Sequence, residues 1–234
     1  MKVVILAGGR GTRASPFTDY IPKPMMPVCG KPIIARVMEI FAAQGYADFV
    51  LSVGYRKENI IDYFETRRTE WRVAIVDTGE DADTGTRVEC CRHLLQDTFI
   101  VTYSDGICDV HLAKLLAFHR SHSGLATVTS VPLISQYGTI EADDTGRIVA
   151  FREKPTLPGH WINAGFIAFD PAVFGSWQGD NLEREVLPAL QRQGALYTFR
   201  HHGFFKSMDT HKDQQELEQI YEEGKVPWLQ AATA

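Results

Sequence analysis

Residues 2–7 (Lys-Val-Val-Ile-Leu-Ala) run directly into Gly8-Gly9-Arg10-Gly11-Thr12-Arg13. An apolar strand ending in three glycines within four positions leaves the chain few options. It must become a buried strand feeding a loop whose backbone N–H groups stand clear of side chains, a cradle for an anion. Arg10, Arg13 and Lys23 add positive charge on the same segment, and Pro16, Pro22 and Pro24 follow closely. A Walker loop needs Gly-Lys-Ser/Thr after four intervening residues, and none is present. Gly9-x-Gly11-x-x-Ala14 fits the permissive dinucleotide fingerprint, but that motif opens a helix at once, and prolines at this density hold an extended loop instead. The acidic ribose ligand expected about twenty residues on is also missing. A bare glycine turn leaves Arg13 and Lys23 unexplained. The reading that remains is a site for a nucleoside triphosphate.

The rest of the composition narrows the class. A net charge of −5 argues against a general nucleic-acid binder, which carries a basic face. No apolar run reaches the length of a membrane span and no cleavable signal pattern is present, so no membrane partner is expected. Cys29, Cys90, Cys91 and Cys108 form neither a CxxC pair nor a zinc spacing, which points to a reducing, cytoplasmic location.

Along the chain, apolar runs alternate with amphipathic stretches, the pattern of an α/β protein with a mostly parallel sheet flanked by helices. Helices are predicted over 32–43, 58–65, 84–95, 110–122, 182–193 and 210–223. Strands are predicted over 48–53, 73–76, 99–103, 126–132, 162–169, 196–199 and 204–208. Asp143-Asp144-Thr145-Gly146 joins two short strands as a hairpin. Asp170-Pro171 opens a short helix. A single domain over 1–234 is expected, with a nucleotide-binding half (about 1–130) and a sugar-phosphate-binding half (about 131–234). His119 and His122 are read as a surface face, Asp109 as the cap of the helix after it, and the four tryptophans as packing residues.

Leu6-Ala7-Gly8-Gly9-x-Gly11-Thr12-Arg13 with Pro22-Lys23-Pro24-Met25 resembles the signature of the sugar-1-phosphate nucleotidyltransferases. Val76-Asp77-Thr78-Gly79, Thr102-Tyr103-Ser104-Asp105-Gly106, Phe151-Arg152-Glu153-Lys154-Pro155, Ile162-Asn163-Ala164-Gly165-Phe166 and Met208-Asp209-Thr210 continue the resemblance through the whole chain. The tail, with Gly203-Phe204-Phe205 and Gly224-Lys225-Val226-Pro227-Trp228, resembles the glucose-1-phosphate cytidylyltransferase branch. The chain departs from that branch in having threonine third in Thr84-Gly85-Thr86-Arg87, and in crossing from Phe64 to Trp71 without the branch's longer insertion.

The resemblance implies the Rossmann-like nucleotide-diphospho-sugar transferase fold. It also implies attack by a sugar 1-phosphate on the α-phosphorus of an NTP, with loss of pyrophosphate. CTP and α-D-glucose 1-phosphate are the expected substrates. Another base or acceptor with the same chemistry, or a non-catalytic nucleotide-binding subunit, are the alternatives, and self-association into a homo-oligomer is left open. Mg²⁺ is the implied cofactor, held by Asp105 and Asp209. Asp105 can also be a simple turn former, and Asp209 the N-cap of the last helix. Arg13 and Lys23 are the implied catalytic pair. Nucleotide contacts are expected from Leu6, Ala7, Gly8, Gly9, Arg10, Gly11, Thr12, Arg13, Lys23, Thr78, Thr84, Gly85, Arg87, Ser104 and Asp105, with Arg10 divided between solvent and triphosphate and Arg87 facing the base. Gly138, Glu153, Lys154, Asn163 and Gly165 are the implied sugar-phosphate ligands, Glu153 and Lys154 having an exposed ion pair as the alternative.

Overall fold

The computed structural model describes residues 1–12, 18, 20–67, 70–224 and 226–230. Arg13, Ala14, Pro16 and Lys225, singled out above, lie outside the described residues.

The first strand, β1 (Val3–Ala7), is buried throughout. Val3, Ile5 and Ala7 join one hydrophobic cluster, and Val4 and Leu6 the other, the period-two division of a strand covered on both faces. A two-residue ribbon, β2 (Pro27–Val28) with β3 (Lys31–Pro32), leads into α1 (Ile33–Ala42). This helix buries Ile33, Ile34, Val37, Met38, Ile40 and Phe41, and Gly45 in a left-handed conformation (φ 86°) marks the turn beyond it. Then come β4 (Asp48–Val53), α2 (Lys57–Thr66), β5 (Arg72–Asp77), α3 (Thr84–Cys90) and β6 (Phe99–Tyr103). Strands β6, β1, β4 and β5 lie side by side and parallel, with Val3 between Ile100 and Phe49.

The chain continues through β7 (Gly106–Cys108), α4 (Leu112–Arg120), β8 (Ala126–Ile134), and a separate hairpin of β9 (Thr139–Ala142) and β10 (Ile148–Arg152). Next are β11 (Thr156–Asn163), β12 (Ile167–Phe169), α5 (Leu187–Arg192), β13 (Leu196–Arg200), β14 (Phe205–Ser207), α6 (His211–Glu222) and α7 (Pro227–Gln230). The main sheet runs β11-β8-β12-β6-β1-β4-β5, with β13 also paired to β8. It is the mixed, mostly parallel, helix-flanked sheet expected. No described helix is long and apolar enough to cross a membrane.

Four local expectations are corrected. The strand expected over 162–169 breaks into β11 and β12. Gly165 (φ 76°) and Phe166 (φ 48°) are left-handed, Gly165 N–H bonds the Asn163 side chain, and the Phe166 ring stacks on Phe41 at 5.2 Å. The helix expected over 182–193 begins as a π-turn at Leu182–Val186. Pro188 explains the widening, since it cannot donate to the Arg184 carbonyl and its ring would strike it in a regular α-turn. Asp109 is not the cap of α4, whose N-cap is His111; its carboxylate lies 2.6 Å from His201 Nε2. Cys108 sits beside this pair, but burial pushes its thiol up to about 12, so the group reads as a hydrogen-bonded lock between β7 and the segment after β13.

The fourth correction concerns the histidines. Leu112, Leu115, Leu116 and His119 are the buried residues of α4. They fall at i, i+3, i+4 and i+7, so His119 belongs to the apolar stripe. His119 Nδ1 and His122 Nε2 each lie 2.8 Å from the Thr127 hydroxyl, and Tyr197 stacks on His122. Burial first, then His122, hold the His119 pKa below its ordinary value, with Asp170 opposing. Burial also lowers that of His122. A group with a depressed folded pKa binds fewer protons folded than unfolded. Stability is therefore intact above the unfolded imidazole value of about 6.5 and declines as pH falls below it. The urea midpoint should drop between pH 7 and 5.5, and less steeply in His119→Gln. Equal slopes in the two proteins would remove His119 as the cause.

Candidate active site

The prolines and glycines that flank Lys23 set its position. Pro22 and Pro24 frame a 3₁₀ turn at Lys23–Met25, closed by Met25 N–H to the Pro22 carbonyl at 2.8 Å. Gly11 (φ 62°) passes so close that a Cβ there would lie 2.7 Å from Lys23 Cβ. The lysine is thereby turned inward, its side chain only 10% exposed. Its ammonium donates to Asp105 Oδ2 at 2.5 Å and Asp209 Oδ1 at 2.8 Å. Burial opposes the charge on Lys23, but Asp105 and then Asp209 outweigh it and hold the pKa above that of an ordinary amine.

The two carboxylates arrive from distant parts of the chain. Antiparallel pairing of β7 with β14 sets Ser207 opposite Gly106, and Met208 N–H donates to the Asp105 carbonyl. Asp105 and Asp209 therefore meet at one end of that ribbon. The N-cap of α6 is Thr210, in a capping box with Asp213; the Asp209 carboxylate accepts instead from Lys23 and from the Ser207 hydroxyl at 3.1 Å. The alternative of Asp209 as the cap is thus closed.

Above Lys23 opens a cavity of about 340 Å³. Of the nucleotide residues expected from sequence, Leu6, Gly8, Gly9, Gly11, Thr12, Lys23, Thr84, Arg87, Ser104 and Asp105 line it, as does Asp209. Among the described residues, Gly9 has no neighbour within 4 Å of where a Cβ would stand, which leaves its backbone open to a phosphate. Ala7, Arg10, Thr78 and Gly85 are not on this lining. Ala7 is buried in β1, and Arg10 turns outward to Glu80 at 2.9 Å. Gly85 allows close packing of α3, since a Cβ would lie 2.7 Å from the Asp180 carbonyl.

Arg87 is the main correction within the site. Its guanidinium does not stand free to face a base. Nη1 donates to Thr78 Oγ1 at 2.7 Å and the Gly79 carbonyl at 3.0 Å, and Nη2 to the carbonyls of Gly8 at 3.0 Å and Glu80 at 3.1 Å. It is 3% exposed, and burial lowers its pKa. The side chain is a strap that ties the glycine loop to the 78–80 loop. Gly8 is required beneath it, because a Cβ would fall 1.9 Å from Arg87 Nη1.

The residues expected to meet the sugar are more dispersed. Lys154, left-handed at φ 45°, lines a second cavity of about 750 Å³ that also includes Asp209. Asp209 thus borders both cavities. Glu153 lies against Gly138, where a Cβ would be 3.0 Å from Glu153 Oε2. Among the described residues, Glu153 and Lys154 make no ion pair with each other, so that alternative is not realised. Asn163 lines neither of these cavities; its Nδ2 donates to Tyr103 Oη at 3.1 Å. Gly165 admits the Tyr103 ring, 3.0 Å from where its Cβ would stand.

Sequence reasoning missed Tyr103, Glu80, Ala82 and Asp83 on the lining, and Glu183 beneath it. Tyr103 carried a usable signal, since it ends β6, and open α/β sheets place ligands beyond the carboxyl ends of their strands. Glu183 had none. It accepts hydrogen bonds from Tyr103 Oη at 2.5 Å and Thr84 Oγ1 at 2.7 Å. Burial, then the Glu183 carboxylate, raises the Tyr103 pKa well above that of an ordinary phenol.

The chain is similar to known proteins along most of its length. The chain is 35% identical to a glucose-1-phosphate cytidylyltransferase of Salmonella typhi over 254 aligned residues, covering 97% of this chain and 98% of that one. It is 36% identical to a mannose-1-phosphate guanylyltransferase catalytic subunit beta of Dictyostelium discoideum, over 91% of this chain and 62% of that one. The crystal structure of HddC from Yersinia pseudotuberculosis superposes with a TM-score of 0.73 at 25% identity, covering 94% of this chain and 99% of that one. The nucleotidyl transferase family model matches residues 2–194. The chain belongs to the nucleotidyl transferase family and is a sugar-1-phosphate nucleotidyltransferase similar to the glucose-1-phosphate cytidylyltransferases.

Proposed function

We propose that the chain transfers the cytidylyl group of CTP to α-D-glucose 1-phosphate, giving CDP-glucose and pyrophosphate. The observation that carries the chemistry is the Lys23 ammonium between Asp105 and Asp209, of which Asp209 borders both cavities. The choice of cytosine and glucose rests on relatives of that name at 34–35% identity along 97% of the chain.

A sugar-phosphate oxygen attacks the α-phosphorus and the bond to pyrophosphate breaks. The nucleophile is already anionic, because a phosphate monoester has its second pKa near ~6, so no general base is needed. The task is to bring anions together and to stabilise charge on the transferring phosphoryl group. Backbone N–H groups of the Gly8–Gly11 loop cradle the triphosphate. Lys23 neutralises the α-phosphate, and Arg13 is assigned to the departing pyrophosphate, for which its planar fork is suited. Lys154 receives the sugar phosphate, while Glu153 and Asn163 are assigned to sugar hydroxyls, with Gly138 and Gly165 giving room to the Glu153 and Tyr103 side chains beside them. The nucleotide thus occupies about 1–130 and the sugar phosphate 131–234, with Asp209 reaching back across the division.

Asp105 and Asp209 turn two carboxylate oxygens onto a single cation, the Lys23 ammonium. Such a pair of hard oxygens fits Mg²⁺, which takes one or two carboxylates together with phosphate oxygens and water. When bound, Mg²⁺ supplies further neutralisation of the phosphate oxygens.

Pyrophosphate release, followed with each NTP against glucose 1-phosphate and mannose 1-phosphate, tests the reading. CTP with glucose 1-phosphate should be fastest. Faster turnover with GTP and mannose 1-phosphate would replace the cytidylyl assignment by a guanylyl one, and no release with any pair would reject both.

A further inference from the structure

We infer that Glu183 is a positioning residue common to both substrate sites. Its single carboxylate sets Thr84 on the nucleotide side and, through Tyr103, Asn163 on the sugar side. The inference rests on the assignment of those two sites under the proposed function.

The hydrogen-bond polarity of the network admits one solution. An ionised carboxylate only accepts, so both hydroxyls must donate to it, Tyr103 Oη to Oε1 at 2.5 Å and Thr84 Oγ1 to Oε2 at 2.7 Å. With its proton committed, the Tyr103 oxygen can only accept, and it faces Asn163 Nδ2 at 3.1 Å. The Asn163 amide is then fixed from both ends, because its Oδ1 accepts Gly165 N–H at 2.8 Å. One N–H of Asn163 is left to meet a ligand, with its direction set from Glu183. On the other side, Thr84 Oγ1 is free to accept the Leu182 N–H at 2.9 Å. That bond and the one from Asn181 Nδ2 to Asp83 Oδ1 fasten the start of α3 to the Glu183 segment.

The backbone supports this use of Glu183. It sits in the π-turn of Leu182–Val186, and single π-turns within helices recur at functional sites. The turn is anchored independently: Asn181 caps Arg184 N–H, and Glu185 accepts the N–H groups of Asp180 and Asn181. Loss of the Glu183 carboxylate therefore leaves the turn its own supports while freeing Thr84, Tyr103 and Asn163 together.

Separate calorimetric titrations of CTP and of glucose 1-phosphate into wild type and variants test the inference; if the assay above selects another base or sugar, that NTP and sugar phosphate are used. Glu183→Ala should weaken both ligands by about tenfold each, the scale of a lost charge-assisted hydrogen bond. Tyr103→Phe should weaken the sugar phosphate more than the nucleotide, whose cavity Tyr103 also lines, and Thr84→Val should weaken the nucleotide more than the sugar phosphate. Glu183→Gln, which keeps the shape but can accept from only one hydroxyl through its carbonyl, should weaken one ligand more than the other. A merely structural role would lower the folded fraction of Glu183→Ala while leaving both dissociation constants unchanged. If wild type binds both ligands and Glu183→Ala stays within twofold for either, the inference is overturned and the proposed function stands. If wild type binds neither, the proposed function fails and the inference falls with it.

Discussion

Lys23→Met is expected to lower turnover by about 10³-fold, the scale of removing one preorganised charge-stabilising donor from a phosphoryl-transfer site. Methionine matches the length of the lysine stem but brings no charge to the α-phosphate. The substitution also leaves Asp105 and Asp209, with side chains 22% and 30% exposed, facing each other without their shared cation. A fully buried pair broken in this way costs about 3–5 kcal/mol, and partial exposure should reduce this to about 1–3 kcal/mol. Lys23→Arg should not restore activity, because a planar fork cannot stand where a point ammonium fits between two carboxylates. Pyrophosphate release and urea unfolding check the two effects separately. The pH dependence has a definite sign. A group whose folded pKa is raised stabilises below its unfolded value of about 10.4 and loses that contribution as pH rises through the folded value. The stability gap between wild type and Lys23→Met should therefore persist at neutral pH and close only above about pH 10.4. Turnover within tenfold of wild type in Lys23→Met would reject the assigned role.

Arg87→Met should destabilise the protein by about 1–3 kcal/mol and raise the KM for the NTP by at least about tenfold. The guanidinium is the donor to the Gly79 and Glu80 carbonyls; both residues are exposed, so water takes up part of what each carbonyl loses and the cost stays below the about 1–3 kcal/mol of a fully buried orphan acceptor. The Gly8 carbonyl still receives Tyr55 N–H, which limits the loss. Activity falls for a second reason: Gly8 and Glu80, which Arg87 holds together, both border the cavity that we assign to the nucleotide. Arg87→Lys should recover little, since one ammonium cannot span donors directed at four separate oxygens. A KM for the NTP unchanged in a variant that unfolds more readily would confine Arg87 to stability alone.

The reading of Arg87 shows where sequence was informative and where it was not. The spacing Thr84-Gly85-Thr86-Arg87 placed it near the start of a helix, and it lies there, on the lining of the cavity above Lys23. Whether an arginine there faces a ligand or bonds the backbone depends on which carbonyls lie within reach, and those belong to Gly8, Gly79 and Glu80 in two other loops. His119 failed differently. Its position was legible, because i, i+3, i+4, i+7 from Leu112 marks it as buried, but histidine was read by its polarity and not by its register. The break between β11 and β12 was hidden because Ile162 to Phe169 is apolar enough to pass as one strand; only Gly165 hinted at a left-handed turn.

By itself, the sequence determined the glycine loop and the inward lysine. Gly8, Gly9 and Gly11 with Pro22 and Pro24 act within some twenty residues of chain, and sterics of that range are local. It also determined that Asp105 ends a buried strand. Only the tertiary structure decided that Asp209 joins Asp105 on Lys23, because that meeting follows from Ser207 pairing with Gly106 across β14 and β7. It likewise decided that Glu183 links Thr84 to Tyr103. Contacts between residues 80 to 186 positions apart depend on how the sheet closes, and no local periodicity encodes which strand will lie beside which.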